Sequence, residues 1–204
     1  MEQAIQQQQQ NIVNGVNVTE LFNTIDAIKG EPAIANFNFR ATNKWVKGAG
    51  NRTFVKDFDG ACQTIDREKP FVIQKDEHPI LLGEDTGANP VEYALAALAG
   101  CLTTSLVYHA AAKGIQIDEV ESTYSGNINL HGFLGLDDSV RNGYESIDVT
   151  FRVKGNATEE QLSELVEIAQ QRSPVYDIVT NKVPVSVRFE TQGGGNDVSN
   201  RDNT

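Results

Sequence analysis

The chain has 204 residues and a formal net charge of −11, from 17 Lys plus Arg against 28 Asp plus Glu. That length fits one domain with trimmings, and such a domain buries enough surface to need no disulfide or metal staple. The acidic balance argues against binding a nucleic-acid backbone or an anionic membrane face, both of which call for basic patches. No stretch is expected to reach the ~20 apolar residues of a membrane span.

The N-terminus, Met1-Glu2-Gln3-Ala4-Ile5 followed by five glutamines, has neither the basic nor the apolar region of a signal peptide. Residues 1–16 therefore read as a disordered Gln-rich arm. Residues 17–35 read as a helical extension, with Val18, Leu21, Phe22, Ile25 and Ile28 on one face, Asn17 as a candidate cap and Gly30 as the stop. Pro32 releases the chain into strands. Phe37 and Phe39 alternate with polar neighbours, Trp45 leads into a Gly48-Ala49-Gly50-Asn51 turn, and Asp59-Gly60 predicts a tight hairpin turn. Phe71–Ile73 adds a further strand.

Asn89-Pro90 then opens a long Ala/Leu-rich run that ends at Gly114, with proline in the first turn where its missing N–H costs nothing. The run is apolar nearly all round, which predicts a helix buried on every side. Val120–Leu130 and Ile147–Val153 read as strands, and Thr158 with Gln161 forms a capping box for a helix burying Leu162, Leu165, Val166 and Ala169. Ser173-Pro174 predicts a cap followed by a short helix through Ile178. Val183, Val185, Val187 and Phe189 predict a last alternating strand, with Pro184 at its start or on an edge. Residues 191–204 are a Gly/Asn/Asp tail. Hairpins grouped ahead of a helix, twice over, give an α+β class rather than a βαβ repeat.

Chemistry-bearing residues are few. His78, His109 and His131 are scattered and make no metal-ligand spacing, and no cofactor motif stands out. Gly132-Phe133-Leu134-Gly135-Leu136 reads as an apolar loop, with a lid or partner patch as the functional alternative. Two cysteines, Cys62 and Cys101, make no disulfide framework and point to a reducing, cytoplasmic setting. Cys101 lies twelve residues after Asn89 on the Ala/Leu helix. Its helical neighbours Ala97, Leu98, Thr104 and Ser105 carry no charge, so any cation activating the thiol must come from elsewhere in the fold or from another subunit.

The Asn-Pro-to-Cys helix, the Trp45-x-x-Gly48 strand and the Ser173-Pro174-Val175 turn before a Val-Pro-Val-x-Val run resemble the OsmC/Ohr family of thiol-dependent peroxidases over residues 36–190. The resemblance implies an OsmC-like fold, with antiparallel sheets and two main helices. It also implies an intertwined homodimer that buries the central cysteine helix and has its sites at the subunit interface. It implies that Cys101 attacks a hydroperoxide, assisted by an arginine and a glutamate. Arg52, after the glycine-rich hairpin, matches the arginine of the Ohr branch. Glu92 stands for the glutamate, although the family places that residue directly after Asn-Pro, where this chain has Val91. The one-residue offset turns Glu92 by about 100° around the helix. The family's second cysteine is replaced by Ser173, so an oxidised Cys101 would need an external thiol reductant. The alternative is a non-catalytic dimer binding a small hydrophobic ligand at the subunit interface.

Overall fold

The computed structural model describes residues 11–190. The Gln6–Gln10 run and the tail from residue 191 lie outside the described residues. Two layers are built from β-hairpins, and each hairpin precedes a helix. Strands β1 (Ile12–Val13) and β2 (Val16–Asn17) form a small hairpin ahead of helix α1 (Val18–Gly30). The first sheet contains β3 (Asn38–Phe39), β4 (Thr42–Lys47), β5 (Gly50–Gly60) and β6 (Gln63–Lys75), all antiparallel. Strands β4 and β3 share one edge of β5 in succession, and β6 runs along the other. Helix α2 (Pro90–Ala112) follows. The second sheet pairs β7 (Ile117–Gly126) with β8 (Ile147–Gly155), joined across a loop holding α3 (Leu130–Phe133). Helices α4 (Glu159–Arg172) and α5 (Pro174–Thr180) complete the described chain.

Several expectations are corrected at the level of single residues. Part of the segment read as a disordered arm is folded. Asn14, in a left-handed turn beside Gly15, donates through Nδ2 to the Ile115 carbonyl at 2.9 Å. Its Oδ1 accepts from the Ile117 amide at 2.8 Å, so one amide side chain ties the first hairpin to the start of β7. Asn17 caps α1 as expected, but only Val18 of the apolar face is buried, and Phe22 and Ile25 are exposed. The hairpin expected at Asp59-Gly60 turns two residues later, at Ala61-Cys62, both with positive φ. Gly60 lies in the strand for a different reason. A Cβ there would come 2.3 Å from the Phe37 ring, so only glycine lets that ring lie on the backbone. Strand β7 stops at Gly126, short of Leu130. The predicted last strand, Val183–Phe189, belongs to no ladder, because no neighbouring strand lies alongside it among the described residues.

The core sits in the second half. Leu98, Leu102, Leu106 and Ala110 recur every fourth residue along α2 and pack against Leu165 and Ala169 of α4, with Ile115 beside them. The inner faces of β7 and β8, including Val120, Tyr124, Ile147, Phe151 and Val153, close it. Sheet β3–β6 adds no buried apolar side chain among the described residues, and Phe39, Trp45 and Phe71 stand exposed on it. Helix α2 is 23 residues long with a mean hydropathy of 1.4 over its most apolar window. By length and composition that is enough to cross a membrane, contrary to the sequence expectation. The core helix of a soluble protein meets the same criterion, and here 28% of that window is buried, along the Leu98–Ala110 seam.

The segment between β6 and α2 is pinned by one buried carboxylate. Asp76 accepts hydrogen bonds from the Glu77 amide (2.9 Å), the Glu84 amide (3.3 Å), the Thr86 amide (3.2 Å) and the Thr86 hydroxyl (2.8 Å). Gly83 and Gly87 permit the tight path, since a Cβ at either would strike the Glu77 or the Gln74 carbonyl. The Thr86 hydroxyl foremost, and then the backbone amides, hold the Asp76 carboxyl below its usual range. This anchor fixes where α2 begins.

Two outcomes follow from this packing. Leu106 is fully buried, so Leu106→Ala should cost about 2–5 kcal/mol in denaturant unfolding. Asp76→Ala should lower the melting temperature by several degrees. The stability Asp76 supplies should be complete above about pH 4, the unfolded carboxylate range, and be lost as pH falls through the lower folded value. Melting curves of Asp76→Asn taken across that acid range should lack this component.

Candidate functional site

Cys101 lies in the third to fourth turn of α2, next to the fully buried Leu102 and itself only partly covered. The helix starts with a complete capping box. Asn89 Oδ1 accepts from the Val91 amide at 2.8 Å, and Glu92 Oε2 accepts from the Asn89 amide at 2.8 Å. Glu92 therefore closes the helix start. It lies nine residues from Cys101 on the same helix, about 14 Å along the axis, so the two side chains of one protomer do not meet. The helix dipole acts within the first turn and gives the thiol little help at that depth.

Arg52 is on β5, opposite Lys44 of β4 and Gln74 of β6. It lines a small cavity of about 100 Å³ with Lys47, Asp76 and Glu84, at the base of the Asp76-pinned segment. No hydrogen bond or ion pair joins Arg52 to Cys101 or to Glu92 among the described residues. The bonds linking the first sheet to α2 lie at the helix start, where the Tyr93 hydroxyl donates to the Gln74 carbonyl at 2.8 Å and Asn89 Nδ2 donates to Glu77. The three residues that the resemblance assigns to one site thus stand apart within a single protomer: a thiol midway along α2, a carboxylate at its start and a guanidinium on the sheet.

Ser173 is one of two buried polar or charged side chains among the described residues, with Asp76 the other. Its Oγ accepts from the Tyr176 amide at 3.1 Å, capping α5, and its own amide donates to the Ala169 carbonyl at the end of α4. The Ser-Pro reading as cap and first helical residue holds. Cys62 is exposed in the β5–β6 turn, and both thiols are free. Phe133, Leu134 and Leu136 of the β7–β8 loop are exposed and do not pack on the core. The loop is tied back to α2 by the Tyr144 hydroxyl, which donates to the Val91 carbonyl at 2.8 Å.

Sequence reasoning missed two groups. Asp76 looked like one acid among many, and the signal that could have found it was the pair of glycines, Gly83 and Gly87, closing a short loop back on it. The second is Tyr124, whose buried hydroxyl makes no well-formed hydrogen bond, and whose burial raises its pKa against a weaker opposing contact with Ser122. No metal-ligand cluster forms among the described residues.

A profile of the OsmC-like protein family matches residues 83–188, which span α2 and its Cys101, β7, β8 and the Ser173 junction. No curated protein sequence matches the chain. An OsmC-like protein from Mycoplasma pneumoniae superposes with a TM-score of 0.55 at 17% identity, over 70% of this chain and 87% of that one. An OsmC-like protein of unknown function from Vibrio cholerae gives a TM-score of 0.53 at 11% identity, over 69% of this chain and 92% of the other. An organic hydroperoxide resistance protein from Legionella pneumophila aligns at 15% identity over 70% of this chain and 88% of that one, with a TM-score of 0.45. The Mycoplasma and Vibrio likenesses bear out the α+β arrangement of antiparallel sheets around α2, and with the profile spanning more than half its length the chain belongs to the OsmC-like protein family.

Proposed function

We propose that the protein is a homodimeric, cytoplasmic thiol peroxidase that reduces organic hydroperoxides or hydrogen peroxide at Cys101 and is recycled by an external thiol. The observation that carries this reading is the position of Cys101. It lies within residues 83–188, the stretch that the family profile matches, on a helix whose far side the protomer leaves uncovered. A second copy laid against that side would exclude water around the thiol. It would also bring a cation from its own β4–β6 sheet, where Arg52 has no carboxylate partner among the described residues.

The chemistry balances in three steps. The Cys101 thiolate attacks the distal peroxide oxygen, the O–O bond breaks, and the alcohol leaves with one proton as Cys101 becomes a sulfenic acid. An external thiol then displaces water and forms a mixed disulfide with Cys101. A second thiol releases Cys101 and leaves as the oxidised disulfide. Ser173 takes no part, because a hydroxyl already capping α5 cannot form a disulfide. That cap is also what favours the alternative, a non-catalytic dimer holding a small hydrophobic ligand.

Peroxide-treated protein should yield a sulfenic acid trapped by dimedone, and Cys101→Ser should abolish it. Arg52→Ala should slow its formation about tenfold or more, as loss of a charge stabilising the reacting thiolate would. Ser173→Cys should close a disulfide with Cys101 and raise turnover with a dithiol. Losing the serine cap costs about 1 kcal/mol, too little to unfold the domain. If Cys101 resists oxidation, and Ser173→Cys neither bridges nor gains turnover, the ligand-binding alternative takes the place of the peroxidase.

A further inference from the structure

The first sheet has two unlike faces. Residues directly opposite one another on antiparallel strands share a face, and so do residues two apart along one strand. On one face the register sets Lys44 opposite Arg52, with Gln74 next in the row, and Thr42 opposite Phe54, with Val72 next. A cationic row therefore runs beside an apolar one. The other face carries Thr53 opposite Ile73 and Val55 opposite Phe71.

The cationic row is electrostatically unbalanced. Two like charges directly opposite across a strand pair repel. The chain has 28 acidic residues against 17 basic ones, so a counter-charge was there to be placed beside them. The nearby acids are committed elsewhere. Asp57 and Asp59 are held by Arg40 at 2.8 and 2.6 Å, Asp66 by Lys56 at 2.8 Å and Glu84 by Lys47 at 2.7 Å. Asp76 accepts from the four donors of its own loop. Lys44 and Arg52 are both exposed, and neither joins an ion pair among the described residues.

A groove of about 320 Å³ draws on both rows, taking Lys44 from one and Thr42 and Phe54 from the other. That volume is within the range of small-molecule sites. Phe54 and Pro70 give it an apolar surface. Its cations are Arg40, Lys44 and Lys56, against a single carboxylate, Asp57, that Arg40 already holds. The Lys44 ammonium stands 6.0 Å from the centroid of the Phe54 ring, which keeps the charge above the apolar surface rather than out in solvent.

We propose that this groove binds a small organic acid, with its carboxylate received between Lys44 and Arg52 and its apolar body laid against Phe54 and Pro70. A bare anion meets only the charges and a neutral apolar molecule only the ring and the proline, so the site selects for a ligand that has both parts. The inference needs one face of one sheet and does not depend on Cys101 being reactive.

The test titrates the full chain with benzoate and follows the amide NMR shifts. Benzyl alcohol serves as the neutral twin and inorganic phosphate as the bare anion. Benzoate should bind saturably, with a Kd of about 1 mM or tighter and shifts centred on Lys44, Arg52 and Phe54. Lys44→Gln and Arg52→Gln should each weaken it about tenfold, as loss of one charge-assisted hydrogen bond would. Lys154→Gln, on the second sheet, should leave it unchanged. Cys101→Ser should bind as the parent does, which keeps this result separate from the fate of the peroxidase reading. Should Arg52→Gln fail to fold, Lys44→Gln decides alone. Benzyl alcohol or phosphate binding as tightly as benzoate overturns the proposal. The absence of saturable binding overturns it too, including the case in which Lys44→Gln weakens self-association instead and so gives the pair to an acidic segment of a second copy.

Discussion

A 23-residue helix that is apolar on almost every side has to be surrounded, and the rest of the chain is organised by how that is done. One side of α2 is covered from within. The Leu98–Leu102–Leu106–Ala110 seam meets Leu165 and Ala169 of α4 and the inner faces of β7 and β8. The start of the helix is held by its own capping box and by the loop gathered around Asp76. The other side, which includes the exposed Tyr108, is left open, and so is the sheet that precedes the helix. A sheet with no buried apolar side chain of its own and a half-covered apolar helix are complementary deficits. Each is met if two copies exchange coverage.

The same constraint bears on the chemistry. A cysteine deep in a helix and away from its start gains reactivity only from neighbours, and within one protomer neither Arg52 nor Glu92 meets Cys101. Glu92 is committed to the Asn89 amide. The proposed peroxidase therefore rests on association more heavily than one whose thiol, base and cation share a single chain. Ser173 adds a second dependence. With a hydroxyl at that junction the proposed peroxidase would rely on thiols from solution, and access to Cys101 in the proposed dimer would govern turnover as much as thiolate formation.

Much of the architecture was legible because it is written in local rules. Asn89-Pro90, the Thr158–Gln161 box and Ser173-Pro174 mark helix starts through hydrogen bonds made within four residues, and each appears where the sequence puts it. What escaped depends on contacts far apart in sequence. Gly60 reads as a turn residue until the Phe37 ring is found lying on it. Asn14 reads as part of a loose arm until its side chain meets Ile115 and Ile117, about a hundred residues away. Val183–Phe189 carries the alternation of a strand, but alternation alone names no partner, and none lies alongside it among the described residues. The thiol was easy to single out from its helix, whereas Arg52 and Glu92 could not be placed relative to it, because residues on separate elements leave no spacing to read in the sequence.

The central claim is that the open side of α2 and the open face of the first sheet are covered by another copy of the chain. Sedimentation velocity across nanomolar to micromolar concentrations tests it most directly. A species of twice the 22.3 kDa chain mass at micromolar concentration is the predicted result. A monomer that stays well behaved throughout that range, with α2 and the sheet bare to water, would contradict it.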